Sequence, residues 1–108
     1  MNFDAILTSI EGQTKALAQK QLKGFADQAL SDVKGFAQQS KADLERWTQE
    51  ALQQKMSKDE YESLVKGQLD VAEMRALKQA GLAQVQIDTF TNGFLEILSS
   101  AVMAAIPL

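Results

Sequence analysis

Residues 23–55 divide into three units of eleven residues, KGFADQALSDV, KGFAQQSKADL and ERWTQEALQQK. Phe25, Phe36 and Trp47 occupy the same position in the three units. Eleven residues make three helical turns at about 3.67 residues per turn, which is close to the period of an α-helix. The repeat therefore predicts a long helix with one apolar stripe.

The stripe continues in both directions when steps of four, four and three residues are extended. From Phe3 to Lys55 the steps select fifteen positions, of which eleven are apolar, and from Tyr61 to Ala105 they select thirteen, of which twelve are apolar. A heptad that starts at Phe25 would instead place Asp32 in the seam. The period thus favours a hendecad coiled coil over a heptad one.

A helix boundary is encoded at Ser57. Ser57 and Glu60 have the spacing of a capping box, in which the hydroxyl accepts from the Glu60 backbone N–H and the carboxylate accepts from the Ser57 N–H. Asp59 and Glu60 also favour the positive end of a helix dipole. These signals predict one helix over about 3–55 and a second over about 58–106.

Two helices of similar length joined by a short turn predict an all-α fold, a long antiparallel helical hairpin that forms one domain over residues 1–108. The first helix would be about 80 Å long at 1.5 Å per residue. With the turn centred on Ser57, facing residues have numbers that add up to about 114. The predicted interhelix seam contains Phe25, Phe36, Trp47, Tyr61, Ala72, Ala83 and Phe94.

A shorter bundle is the alternative within the all-α class. Gly81 adopts a positive φ without steric cost and could end a helix at Ala80. With a further break near Gly35, the chain would fold into a compact three- or four-helix bundle. The stripe favours the continuous hairpin, because Ala72 and Ala83 stay eleven residues apart across Gly81.

Apolar residues off the stripe predict that the second helix needs more than one neighbour. From Leu82 to Ile106 the only charges are Asp88 and Glu96, and helices that are apolar on all sides are normally buried on several sides. We therefore expect a homo-oligomeric helical bundle, or a protein partner at the apolar C-terminal end. The predicted interface contains Leu82, Val85, Phe90, Leu95, Ile97, Leu98, Val102 and Ile106.

The composition argues against catalysis and against nucleic-acid binding. The chain has no cysteine and no histidine, so it lacks a thiolate nucleophile, the usual general base and the commonest metal ligand. Its net charge of −3 has the wrong sign for neutralising phosphates. We expect a non-enzymatic structural or interaction protein without cofactor or metal.

The repeated Lys-Gly-Phe-Ala, at 23–26 and again at 34–37, resembles the eleven-residue repeats of exchangeable apolipoproteins, synucleins and late-embryogenesis-abundant proteins. The resemblance implies amphipathic helices that lie on a lipid surface, with lysines beside the apolar face. The lysines in such positions are Lys15, Lys23, Lys34 and Lys41. The second half of the chain is acidic and departs from this pattern, so binding to a membrane surface is an alternative function. A helical adaptor of a phage, secretion or toxin-related assembly is another.

The residues near the two termini indicate where in the cell the protein is expected. Residues 1–7 carry an acid, Asp4, and lack a basic segment followed by an apolar run, so no secretory signal is expected and a cytoplasmic location is predicted. Residues 89–108 carry one charge, Glu96, and approach the length of a bilayer span. Asn92 and the pair Ser99 and Ser100 make a poor spanning helix. Membrane association of residues 89–108 stays open as an alternative.

Overall fold

A computed structural model describes residues 3–72 and 74–105 of the chain. These residues form six α-helices and one short 3-10 helix, and they contain no β-strand. The α-helices are α1 (Phe3–Leu22), α2 (Ala26–Gln39), α3 (Lys41–Leu52), α4 (Lys58–Val71), α5 (Arg75–Gln79) and α6 (Gln84–Ala104), and the 3-10 helix is Lys23–Phe25. The predicted all-α class is confirmed.

The turn at Ser57 is formed as the sequence predicts. The Glu60 backbone N–H donates to Ser57 Oγ at 3.1 Å, and the Ser57 N–H donates to Glu60 Oε1 at 3.2 Å. Ser57 has an extended backbone, with φ −76° and ψ 165°, and α4 begins at the next residue. The capping box therefore satisfies two backbone donors at the helix start and fixes the reversal between α3 and α4.

The prediction of two continuous helices, over 3–55 and 58–106, is wrong. The described chain measures 42 × 24 × 20 Å, so it cannot contain a straight helix of about 80 Å. The first half is interrupted at Lys23, which has a φ of 43°, and the second half is interrupted after Val71 and again at Gly81, which has a φ of 92°. Ile106, at the predicted end of the second helix, lies outside the described residues.

In the middle of the chain, α2 and α3 pair with α5 and α4, as in an antiparallel hairpin. Three hydrogen-bonded pairs mark this pairing, and in each pair the two residue numbers add up to between 109 and 111. The pairs are Thr48 with Tyr61, Asp43 with Gln68, and Asp32 with Leu77. The register therefore differs by about one helical turn from the predicted one.

The outer helices fold back onto this central hairpin. Lys41 Nζ lies 3.6 Å from Asp4 Oδ1, so the start of α1 lies beside the end of α2. On the other side, Lys58 Nζ donates to Glu96 Oε1 at 3.1 Å, which places the C-terminal half of α6 beside the start of α4. The compact alternative is thus closer to the arrangement found, which has six α-helices instead of three or four. Its first half is interrupted at Lys23–Phe25 and again at Ser40, five residues after Gly35.

Helix α6 packs against α1, α3 and α4. Helices α1 and α6 are close together at Gly93, where an added Cβ would lie 2.7 Å from Leu17 Cδ2. A residue without a side chain lets these two helices pack closely.

The eleven-residue stripe is mostly inside the bundle in the first half of the chain. Of its fifteen positions there, eleven are buried, and only Lys55 is exposed. Stripe positions between 72 and 83 are alanines that lie half-buried or exposed, while Met74 and Leu77, which are off the stripe, are buried. The breaks on both sides of α5 therefore change which residues face the core in this region.

Two buried threonines allow a matched test of the core. Thr14 and Thr48 are both fully buried. Thr14 Oγ1 has no hydrogen-bond partner among the described residues. Thr48 Oγ1, in contrast, shares a 3.0 Å hydrogen bond with Tyr61 Oη. Thr14→Val removes an unpaired buried hydroxyl and is expected to raise the free energy of unfolding by about 1 kcal/mol. Thr48→Val leaves the Tyr61 hydroxyl unpaired and is expected to lower it by about 1–3 kcal/mol. Urea denaturation followed by Trp47 fluorescence measures both, and changes of the same sign would contradict the assigned partners.

Two glycines distinguish the bundle from a continuous second helix. Gly67 lies within α4 and Gly81 has a φ of 92°, and an added Cβ would meet nothing within 4 Å at either position. Gly67→Ala is expected to stabilise the protein by about 0.5–1 kcal/mol, because alanine is the better helix former. Gly81→Ala is expected to destabilise it by about 1–2 kcal/mol, because an L-residue is strained at this φ. Thermal unfolding followed by circular dichroism gives both values, and in a continuous helix both substitutions would stabilise.

Candidate functional site

The predicted seam residues do not form one line between two helices. Phe36 and Phe94 pack edge to face with ring centroids 6.0 Å apart, which joins α2 to α6. Trp47 and Tyr61 are buried between other pairs of elements, while Phe25 and Ala72 are half-buried and Ala83 is exposed. The large residues of the predicted seam thus contribute to a core that several helices share.

Most residues of the predicted oligomer interface lie inside the single chain. Phe90, Leu95, Leu98 and Val102 are buried in the bundle, and Leu82 and Ile97 are half-buried. Val85 is 70% exposed, and Ile106 lies outside the described residues. Because α1, α3 and α4 already cover α6, the buried residues of this set do not form a surface for another chain.

Exposed large apolar side chains occur at three of the described positions, Leu64, Val71 and Val85, and Val71 and Val85 are the most exposed of them, at 80% and 70%. The chain neighbours of Val71 and Val85 line one cleft: Asp70 and Ala72 on either side of Val71, and Gln84 before Val85. Neither valine lines this cleft itself, and Val71 lines a second depression, described below. The end of α4 and the start of α6 thus each present an exposed valine next in the chain to residues that line the cleft.

This cleft, between α4, α5 and α6, is called the α4–α6 cleft and has a volume of about 130 Å³. Its apolar lining comes from Leu69, Met74, Ile87 and Leu95. Its charged lining comes from Lys66, Asp70, Lys78 and Asp88. A small apolar floor with both signs of charge around it suits contact with a protein surface better than the binding of one strongly charged ligand.

The charges of the cleft are partly compensated by their neighbours on the same helix. Lys66 Nζ lies 3.3 Å from Asp70 Oδ1, and Gln84 Nε2 donates to Asp88 Oδ1 at 2.8 Å. Both contacts span one helical turn and both are exposed. Such pairs contribute little to stability and can exchange partners with an incoming surface at small cost.

A second depression, called the α2–α5 groove, lies on the other side of α5. It has a volume of about 420 Å³ and is lined by residues of α2, by Val71 and by Arg75. Asp32 lies in this groove, and its two carboxylate oxygens accept from the backbone N–H groups of Ala76 and Leu77 at 3.0 and 2.9 Å. No local pattern in the sequence indicates this role of Asp32, because its partners are more than forty residues away along the chain.

A polar network, partly buried at Ser99, joins α4 to α6. Besides the Lys58–Glu96 contact, Ser99 Oγ donates to Glu62 Oε1 at 2.7 Å. The hydrogen bond from Lys58 lowers the pKa of the Glu96 carboxyl, and the same bond raises the pKa of Lys58. These residues orient the two helices whose ends carry Val71 and Val85.

Neither a metal site nor a membrane span is found among the described residues. Across 3–72 and 74–105, no group of three or more acidic side chains is placed to hold a metal ion. Within the same ranges, no helix is long and apolar enough to cross a bilayer. The stripe that resembles lipid-binding repeats is mostly buried, so contact of that stripe with a lipid surface would require the bundle to open.

The pKa of Tyr61 offers a spectroscopic test of this arrangement. Burial raises the pKa of Tyr61, the single tyrosine of the chain, above its ordinary value of 10.0. Because the unfolded chain loses this proton first, the contribution of Tyr61 to stability is complete below pH 10 and is lost as the pH rises above it. We expect tyrosinate absorbance to appear only above pH 10 and together with loss of helicity. Ionisation near pH 10 in a fully helical chain would contradict the burial of Tyr61.

Comparison of the chain with models of protein families, with curated proteins and with solved structures found no match.

Proposed function

We propose that this chain is a non-enzymatic interaction protein that associates with protein chains, its own copies included, through the rim of the α4–α6 cleft. The observation that carries the proposal is that Val71 and Val85, the two most exposed large apolar side chains described, are each next in the chain to residues that line one cleft. Apolar residues scattered singly over a surface are ordinary, whereas two beside a shared depression form a surface that another chain can cover.

The charges around the cleft support a second copy as the partner. Lys66 and Lys78 line it together with Asp70 and Asp88. In a two-fold arrangement each copy offers the same surface to the other, so a patch with both signs of charge is complementary to itself. The lysines of one copy would then face the aspartates of the other.

We thus propose a homo-oligomer whose interface differs from the one predicted from the sequence. Phe90, Leu95, Leu98 and Val102 are used inside the bundle, so the contact between copies is expected to be small and reversible. An interface of modest area with few apolar residues is typical of weak association. An adaptor role would use the same rim to bind a different chain.

The chemistry of the cleft supports a non-enzymatic role. The chain contains neither histidine nor cysteine, and the carboxylates Asp70 and Asp88 are paired on their own helices. General acid–base catalysis by a carboxylate usually depends on an environment that shifts its pKa strongly, commonly by burial. Asp70 and Asp88 are both exposed.

Sedimentation velocity over a concentration series, from low micromolar to submillimolar, tests the proposal. The average mass of the wild-type chain is expected to rise with concentration. A double variant, Val71→Glu with Val85→Glu, is expected to remain monomeric over the same range, because it places two charges at the proposed contact. Both side chains are exposed, so the fold should tolerate the change, and circular dichroism checks this.

Leu64→Glu is the matched control. Leu64 is the third exposed large apolar residue and also lies on α4, but neither it nor its chain neighbours, Ser63 and Val65, line the cleft. Its substitution should leave the self-association unchanged. A wild-type chain that stays monomeric throughout, or an equal loss of association in Leu64→Glu, would overturn the proposed contact.

A further inference from the structure

Helix α5 is too short to be stable by itself. It contains five residues, Arg75–Gln79, and its N-cap residue, Met74, makes no side-chain hydrogen bond to the helix. Isolated helices of this length do not persist in water, because few hydrogen bonds offset the cost of ordering the first turn. The position of α5 therefore depends on contacts with the rest of the protein.

A single carboxylate supplies the missing cap. Both oxygens of Asp32, on α2, accept from α5, one from the Ala76 N–H and the other from the Leu77 N–H. These are two of the backbone donors that a helix start leaves unpaired. The negative charge also lies at the positive end of the short helix, which strengthens the bonds.

Both flanks of α5 are non-helical. Ala72 and Ala83 have extended backbones, with ψ of 131° and 150°, and Gly81 has the left-handed φ of 92°. Leu77 and Met74 are the buried large apolar residues of this segment. The helices on either side are much longer, with 14 residues in α4 and 21 in α6.

Helix α5 also separates the two depressions described above. Met74 and Lys78 line the α4–α6 cleft, Arg75 lines the α2–α5 groove, and Ala72 lines both. If the segment moved outward, the two spaces would become one channel. Its walls would then include Ile87 from the cleft and Phe36 from the groove.

We propose that residues 74–83 form a strap that opens as one unit while the other helices stay folded, and that Asp32 is the latch that holds it closed. The flanks at Ala72 and Gly81 act as its joints. Opening breaks the two bonds to Asp32, withdraws Leu77 from the core and joins the cleft to the groove. This motion is a property of the single chain and occurs whether or not copies associate.

Amide hydrogen exchange, followed by NMR on the full chain, tests the strap. Within it, the N–H groups of Lys78, Ala80, Gly81 and Leu82 donate to backbone carbonyls of the same segment. We expect these amides to exchange faster than those in the middle of α6, because local opening needs less free energy than global unfolding. Equal free energies of exchange in the two regions would overturn the strap.

Asp32→Asn tests the latch. Loss of the charged acceptor is expected to speed exchange of the four strap amides about ten-fold, with little effect on α6. Asp27→Asn is the matched control, since Asp27 is an exposed aspartate in the first turn of the same helix. Equal rates in the two variants, or loss of the whole fold in Asp32→Asn, would overturn the latch.

Leu77→Ala tests the strap independently of Asp32. It removes the fully buried anchor of the segment and is expected to speed exchange of the strap amides far more than exchange of the α6 amides. An equal increase in both regions would show that residues 74–83 unfold only with the rest of the bundle.

Discussion

The structure depends on the need to cover α6 on several sides. This helix carries two charges, Asp88 and Glu96, in 21 residues, and seven of its residues are buried. One partner helix cannot remove so much apolar surface from water, and at about 25 cal/mol per Å² the exposed remainder would cost several kcal/mol. The chain meets this need by folding α1 and α6 back onto the central hairpin, so that α1, α3 and α4 pack against α6 and leave one exposed face with Asp88, Asn92, Glu96 and Ser100. The breaks at Lys23 and Gly81 are the places where the backbone turns to allow this.

The sequence shows that the apolar surface of α6 must be covered, but it does not show whether the same chain or another chain covers it. The all-α class, the cap at Ser57 and the inward stripe of the first half could be predicted, because each depends on residues close together in the chain. The break in the first half could not. Lys-Gly-Phe-Ala forms a break at 23–26 and continuous helix at 34–37, so the packing of distant helices, and not the tetrapeptide, decides its conformation. The possible break at Gly81 could be recognised, but the flanking alanines keep the stripe apolar without needing burial, so the stripe favours a continuous helix.

The candidate site depends still more on long-range packing. Val71, Val85, Phe90 and Leu95 all lie off the stripe and look alike in the sequence, yet the first two are exposed and the last two are buried. The difference depends on where α1, α3 and α4 pack against α6, and no local pattern in the sequence specifies this packing. Asp32 is a similar case, since an aspartate on a helix surface gives no sign that it caps another helix across the fold.

The contact between Leu17 and Gly93 restricts how this protein can evolve. The position of an added Cβ at residue 93 is only 2.7 Å from a methyl group of Leu17, so the volumes at the two positions are shared. A homologue with alanine or serine at 93 would be accommodated most easily with a smaller or differently shaped residue at 17. The two positions, distant in sequence, are expected to vary together across descendants of the same ancestor.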